Sequence, residues 1–456
     1  MSPGPAVTGL LRLDPAQAPI EVVDLELDGP DGRPELRGIG DTSPPDGLTG
    51  GGAVLALVRV SGRPVGLLQT VLDGASDPVL ALAKAAEPVC DRHRERRDAP
   101  EALSAPDPAP LVSVVVATRE RPTALARCLD SLARLRYPRF EVVVIDNAPV
   151  SEATWELVRT RYADQVRYLR EPRRGLAAAH NRGLAESLGE IVAFTDDDVL
   201  VDPDWLDALV RGFADPGVGC VTGLILPARL RTPTQILLEA RGGFAKGFEQ
   251  RRYRLDRPPA DQPLFPFTAG RLGSGANMAF RTDALRAVGG FDPATGTGTP
   301  AKGGDDLLSF FRIVVHGHEL VYQPTALVWH HHRDQPQDLD GQAFGYGAGL
   351  GAYLTAAVCG EPRMLPALLR RLPSGLRHAL ASTAPPDSGS VRRSGARRSG
   401  APPDDGGRTD GDDGAAWSAR LSWRQRRGML YGPLGYLRAR RLRAAEATGE
   451  VGADVR

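Results

Sequence analysis

Three clusters in this chain hold residue types that can do chemistry: Asp196-Asp197-Asp198, Asp305-Asp306 and His330-His331-His332. Adjacent carboxylates repel, so the triplet costs free energy unless cations, donors or solvent compensate it. If strand geometry runs through it, Asp196 and Asp198 point to one face and Asp197 to the other. The first two then offer hard oxygen ligands to Mg²⁺ or Mn²⁺ and leave coordination positions for phosphate or water. Taken alone, such a triplet is more often a solvated turn. The Asp305-Asp306 pair opens a helix that should run to about His316. The helix dipole accounts for one of these carboxylates better than for both. The three imidazoles are either surface residues or ligands for Mn²⁺ and donors to phosphate. The stretch Gly273 to Phe280 joins tight backbone to a polar side chain, Asn277.

The elements that must position these groups are read from apolar runs. Leu111 to Ala117 is a nearly continuous β-branched run, as suits a parallel strand covered on both faces. A helix follows from Thr123 to about Leu135, with Leu125, Leu129 and Leu132 as its apolar stripe; Cys128 beside them reads as a packed small hydrophobe. Strands at 141–145 and 166–169 come next, then a small-residue helix ending near Leu188, and then Ile191 to Phe194 leading into the acidic triplet. Repeated strand–helix units put Thr118, Asp146 and the triplet at C-terminal strand ends, where ligands collect in open α/β sheets. Further on, a helix is expected over 201–213, a strand over 217–226 and a short strand over 319–322 before Pro324.

At 456 residues the chain has room for two or three domains. Residues 1–105 read as an accessory α+β region with a β-hairpin at 53–72, and 106–340 as the α/β domain carrying the clusters. Residues 341–380 read as a helical, membrane-proximal segment, 381–417 as a disordered linker, and 418–456 as a basic helical segment broken at Gly432-Pro433. The apolar run 341–360 is rich in Gly and Ala, which favours a buried or interfacial helix over a spanning one. Lys+Arg and Asp+Glu are 56 each, and no nucleic-acid-binding motif accompanies the C-terminal arginines, so nucleic acid is not an expected partner. Four scattered cysteines without CxxC spacing, and no basic-then-apolar start, suit a reducing cytoplasm.

Val114 to Arg121, Val142 to Asn147, Gly175 to Gly183, Phe194 to Asp198, Gly275 to Phe280, Gly304-Asp305-Asp306 and Val328 to Arg333 occur in an order and spacing that resemble the family 2 glycosyltransferases. The resemblance covers about 111–340. It implies a GT-A fold: α/β, with a Rossmann-like, mostly parallel central sheet and flanking helices. It also implies transfer of a sugar from a nucleotide-diphospho-sugar to an acceptor hydroxyl, usually with inversion. The acceptor could be a small molecule, a lipid-linked glycan or a peptide-derived molecule, met in the cytoplasm or at the inner membrane face.

Carried over position by position, the resemblance has Thr118, Arg119 and Glu120 line the nucleotide pocket and Asp146 contact the base. Asp196 to Asp198 would be the DxD motif, with Asp198 the foremost contact to Mn²⁺ or Mg²⁺, Asp196 nearer the ribose or sugar and also a metal contact, Asp197 on the nucleotide-sugar side, and His330 a metal or diphosphate contact. Asp306 matches the usual base position, and Asp305 stands where the family often has Glu. Arg173, Asn181 and Asn277 are sugar- or phosphate-side candidates, and His180 replaces an arginine common in relatives. A paired-carboxylate glycoside hydrolase and a non-catalytic glycan-binding protein are the competing readings.

Overall fold

The computed structural model describes residues 13–95 with short breaks, the dipeptide 6–7, residues 108–371 apart from 241–242, residue 373, and residues 410–448. The N-terminal unit is a five-stranded sheet: β1 (Ala6–Val7), β2 (Glu21–Glu26), β3 (Glu35–Arg37), β4 (Gly52–Val60) and β5 (Arg63–Leu72), ordered β1-β5-β4-β2-β3. The hairpin lies at β4–β5, and both of its turn residues, Ser61 and Gly62, have positive φ (50° and 76°), as a tight two-residue connection requires. Helix α1 (Pro78–Glu95) covers one face of this sheet, with Leu82, Ala86 and Val89 buried in its core.

The other face is not free. Ile20, Val22, Leu55, Leu57 and Leu67 form a single apolar core with Leu200, Leu224, Leu226, Leu327 and Trp329 of the following domain. At its margin the buried Arg59 guanidinium donates to Asp24 of β2 and to Asp202 of that following domain. The N-terminal unit is therefore welded to the strands that carry the site.

That second domain contains β6 (Val112–Thr118), α2 (Pro122–Leu132), β7 (Phe140–Asn147), α3 (Ala153–Arg161), β8 (Val166–Glu171), α4 (Leu176–Glu186), β9 (Ile191–Asp196), β10 (Val199–Val201), α5 (Trp205–Gly212), β11 (Val218–Pro227), α6 (Pro233–Ala240), β12 (Arg251–Tyr253), β13 (Met278–Arg281), α7 (Thr282–Ala287), α8 (Asp305–Val315) and β14 (Glu319–His330). The sheet order is β10-β14-β11-β13-β9-β6-β7-β8, with β12 also on β14. Strands β9, β6, β7 and β8 run parallel, as their β-branched apolar runs imply; β13 enters antiparallel and the sheet beyond it is mixed. Apolar cores fill both faces of the sheet. The short strand expected at 319–322 is the start of one long strand. Its register against β11 slips between Gly223 and Leu224, and that irregularity takes up Pro324 without a missing ladder bond inside a regular stretch.

Helix α9 (Pro336–Gly360) and the C-terminal helix α10 (Asp410–Thr448) form a further layer. α9 is packed rather than spanning: Ala348, Ala352, Tyr353 and Ala356 are fully buried, and no helix among the described residues is long and apolar enough to cross a membrane. The linker expected at 381–417 lies outside the described residues up to 409, and residues 410–417 are already helical. Nor does Gly432-Pro433 break α10. Pro433 leaves the Met429 carbonyl without its helical donor, but that carbonyl lies against Gly351 of α9. Gly347 and Gly351 of α9 face Gly428 and Gly432 of α10, where any side chain would meet the opposing backbone. Four glycines let the two helices touch main chain to main chain, and that packing holds the helix together through the proline.

Candidate active site

The register of the parallel strands gathers the polar side chains at one sheet edge. Thr118 pairs with Asp146, and Ala117 with Asp196, so β6, β7 and β9 all end at the same level. Glu120 follows with φ of 54°, and its carboxylate accepts from Val150 N (2.8 Å), Ser151 N (3.1 Å) and Ser151 Oγ (2.7 Å). These bonds hold its pKa below the usual range and tie the loop after β6 to the loop after β7. Arg119 donates to the Ala148 carbonyl at 3.3 Å in the same seam. Asp146 is fully buried; Oδ2 accepts from Tyr168 Oη at 2.7 Å, while Oδ1 has no partner among the described residues. Burial raises its pKa against the opposing pull of the Tyr168 bond.

Strand geometry ends at Asp196; Asp197 and Asp198 form the turn into β10, and that turn, rather than strand alternation, divides the triplet. Asp197 turns away, accepting from Thr118 Oγ1 (2.7 Å) and Arg121 Nη1 (2.5 Å), while Asp196 and Asp198 converge with His330. One ligand atom from each of those three lies within 4.8 Å of the others. Asp196 is driven well above the ordinary carboxylate range by burial and then by Asp198, Asp197, Asp305 and Asp306. Asp197 is pushed up to about 6, chiefly by burial. Burial also works against ionised Asp198, but the Arg121 guanidinium, at 2.8 Å through Nη2, helps to keep it below the usual range. Crowded carboxylates with one arginine among them are the electrostatic setting a divalent cation relieves.

His330 reaches the cluster because β14 pairs with β10: Val199 lies opposite His330, and His331 N donates to the Asp198 carbonyl at 2.9 Å. His330 Nε2 is 3.4 Å from Asp198 Oδ1. Its Nδ1 is 3.1 Å from His332 Nδ1, and His332 Nε2 is 2.8 Å from Glu239 Oε2 on α6. The Glu239 carboxylate only accepts, so with both imidazoles neutral His332 donates from Nε2 and accepts at Nδ1 from His330. That assignment leaves the His330 Nε2 lone pair facing the acids, as a metal ligand needs. Burial holds His330 down at about 4, and the Phe244 ring packs on it at 5.2 Å.

The second acidic pair starts α8 after Gly304, whose φ is 90° and whose Cβ, were there one, would stand 2.5 Å from the Gly349 carbonyl of α9. Asp305 turns into the core, 3.3 Å from His180 Nδ1, with His180 held between Phe194 and Phe291. Asp306 accepts from Leu307 N (2.8 Å) and Gly275 N (2.9 Å), which fix its carboxylate plane. Burial and then Asp305 push it up to about 6. Lys246 lies close enough for Asp306 to oppose the lowering of its pKa that burial causes.

Two expected sugar-side residues have other work. Asn277 is fully buried, accepts from Trp205 Nε1 (2.9 Å) and donates to Leu224 O (2.9 Å) and Ala326 O (2.8 Å); its amide is spent inside the sheet and faces no ligand. Asn181 exchanges both amide groups with the Phe291 backbone, at 2.7 and 2.9 Å, closing the loop behind α4. The Arg173 side chain is exposed and donates through Nε to Glu171 Oε1 at 3.0 Å. Conversely, Arg121, Tyr168, Glu239 and Lys246 belong to the site or support it, and sequence reasoning gave them no role, while His332 stood only among three neighbouring imidazoles. Arg121 alone had a local signal, a cation in the turn directly after the first strand; the others arrive from elements distant in sequence.

Residues 113–289 match the family model described as glycosyl transferase family 2. The chain is 31% identical over 237 residues, 52% of its own length and 46% of the relative's, to the pre-mycofactocin glycosyltransferase of Mycobacterium tuberculosis. It is 25% identical over 195 residues, 41% of its length and 57% of the relative's, to the glucosyl-dolichyl phosphate glucuronosyltransferase of Haloferax volcanii. The chain thus spans about half the length of these curated relatives. Among solved structures, a Pyrobaculum calidifontis mannosyltransferase in complex with GDP-Man and Mn²⁺ aligns over 78% of this chain and 96% of its own, at 22% identity and a TM-score of 0.45.

Proposed function

We propose that this chain, whose residues 113–289 match the family 2 glycosyl transferases, is a metal-dependent enzyme moving a sugar from a nucleotide-diphospho-sugar to an acceptor hydroxyl with inversion. The observation that carries the reading is the convergence of Asp196, Asp198 and His330, two carboxylates and a neutral imidazole within 4.8 Å. That donor set fits Mn²⁺ or Mg²⁺. A cation held there offsets charge developing on the diphosphate leaving group.

The chain's own residues supply the rest. Asp146 offers its unpaired Oδ1 to a donor edge of the base. Thr118 and Arg119 frame the nucleotide pocket, and Glu120 shapes it by clamping the 150–151 turn. Arg121 holds Asp197 and Asp198 in place and brings positive charge to the diphosphate side. Arg173 stands at the rim as a phosphate-side candidate. Asp306 is the base: the acceptor oxygen attacks the anomeric carbon, the bond from that carbon to the diphosphate breaks, and the hydroxyl proton passes to the Asp306 carboxylate. A base at about 6 is matched to a reaction run near neutral pH. Asp305 acts through Asp306, raising it by like charge.

We place the enzyme in the cytoplasm, with its C-terminal region as the part that contacts the inner membrane face. The M. tuberculosis relative is named for pre-mycofactocin, so that molecule is the first acceptor to assay, beside small molecules, lipid-linked glycans and peptide-derived molecules. The test is calorimetry with UDP-, GDP- and dTDP-sugars, with and without Mn²⁺, on the wild type and on Asp198→Ala. Metal-dependent binding of one donor, lost in the variant, supports the reading. A folded protein that binds none of them refutes it, and donor binding with no transfer to any hydroxyl acceptor favours a non-catalytic glycan-binding role.

A further inference from the structure

We propose that the outer face of α10 docks the protein onto an anionic lipid bilayer. This rests on the peripheral contact proposed for the C-terminal region, and adds the surface and the lipid class.

α10 has two opposite faces. Leu421, Gly428, Gly432, Tyr436 and Ala439 are buried, and Tyr436 Oη donates to Asp292 at 3.0 Å, so this face anchors the helix on the catalytic domain. Arg443 donates to the Arg174 carbonyl at 2.9 Å and fastens the far end beside the loop that leads into α4. On the other face Trp423, Leu430, Leu434 and Leu437 are 53%, 79%, 63% and 44% exposed. Their spacing of seven, four and three residues puts them in one stripe along the helix. Among the described residues no other element covers it. A stripe of large apolar side chains on a helix already docked by its opposite face is not core left over from folding.

The charge names the occupant. Residues 419–446 contain eight arginines and one acidic residue, Glu446, a net of +7. Arg426, Arg427, Arg438 and Arg441 are exposed and flank the stripe, and the Arg427 guanidinium lies 4.8 Å from the centre of the Trp423 ring. Leucines and a tryptophan bordered by arginines match a surface whose outer layer is anionic and whose interior is apolar. A second copy of the same face would set arginine against arginine, which disfavours self-pairing. The position suits the enzyme as well. α10 lies on α9, whose Gly349 carbonyl closes on Gly304 at the start of α8, so the docked layer lies directly behind the Asp305-Asp306 turn.

The test uses the full chain and sedimentation with vesicles of phosphatidylcholine alone or mixed with phosphatidylglycerol. Expected is binding to the anionic vesicles only, weakening as salt rises. The Leu430→Asp/Leu434→Asp variant, altered at exposed positions that touch nothing in the site, should bind vesicles about tenfold less or worse. Its Mn²⁺-dependent nucleotide-sugar binding should be unchanged, so loss of the surface registers separately from failure of the donor site. No binding to anionic vesicles, or equal binding by the variant, overturns the proposal. So does a dimer in light scattering that the variant converts to monomer while vesicles capture neither protein.

Discussion

Replacing Arg59 by methionine tests whether the N-terminal sheet holds the metal-binding strands in place. The Arg59 side chain is 3% exposed. Nε donates to Asp24 Oδ1 and Oδ2 at 2.8 and 3.1 Å, Nη2 to Asp202 Oδ2 at 2.6 Å, and Nη1 to the Gly62 carbonyl at 3.1 Å. Methionine fills much of the volume but leaves two buried carboxylates facing one another. Removing one partner of a buried pair costs about 3–5 kcal/mol, because the charges left behind are uncompensated. At about 1.4 kcal/mol per factor of ten, local opening should become roughly 10² to several 10³ times more frequent. Native-state hydrogen exchange reads this directly, at amides of β2 and β4 and also of β10, which separates Asp202 from Asp198. Adding Asp24→Asn should restore part of the loss, since one of the stranded charges is gone. A change in opening below about 1 kcal/mol would refute the clamp. So would an effect confined to β4 with β10 untouched, since the bond to Asp202 would then carry nothing across the interface.

Other outcomes follow from the same geometry. Because Asp306 must be ionised to take the acceptor proton and titrates at about 6, kcat/KM should fall roughly tenfold per pH unit below that value. Asp305→Asn removes the like charge beside it and should move this acid limb to lower pH, read from the pH–rate profile; an unmoved limb assigns the base elsewhere. Glu239→Leu frees the His332 proton and with it the tautomer of His330, so Mn²⁺ affinity should drop about 10- to 100-fold by calorimetry, with the fold intact by circular dichroism. Asn277→Leu strands the Trp205 Nε1–H and two carbonyls at the centre of the sheet, and should destabilise the domain by about 3 kcal/mol or more in denaturant unfolding. Gly432→Val pushes α10 off α9 and should expose α10 to limited proteolysis while donor binding persists.

Much of the site could be read in the chain because its parts are local. The apolar β-branched runs that become β6, β7 and β9 dictate buried strands, and each ends in the polar residue that the parallel register then brings to one edge: Thr118, Asp146 and Asp196. Strand alternation reaches only as far as Asp196, where β9 ends; Asp197 and Asp198 are parted by the turn into β10. The Asp305-Asp306 pair at a helix start is likewise a local signal, as is the hairpin at Ser61-Gly62.

What only the tertiary structure decided are the meetings between distant segments. Nothing within a dozen residues of Arg121 says that it will bridge Asp197 and Asp198, and nothing near His330 says that β14 will pair with β10. Glu239 acquires its role only because α6 packs beside the end of β14. Asn277 looked ligand-facing from its glycine-rich surroundings, yet sheet order made it a core amide. Pro433 looked like a helix break, yet four glycines on two helices close the gap around it. Local periodicity and turn chemistry are properties of a few consecutive residues. Strand order and helix docking are set by which whole arrangement buries the most apolar surface with every buried polar group paired, and that choice belongs to the chain as a whole.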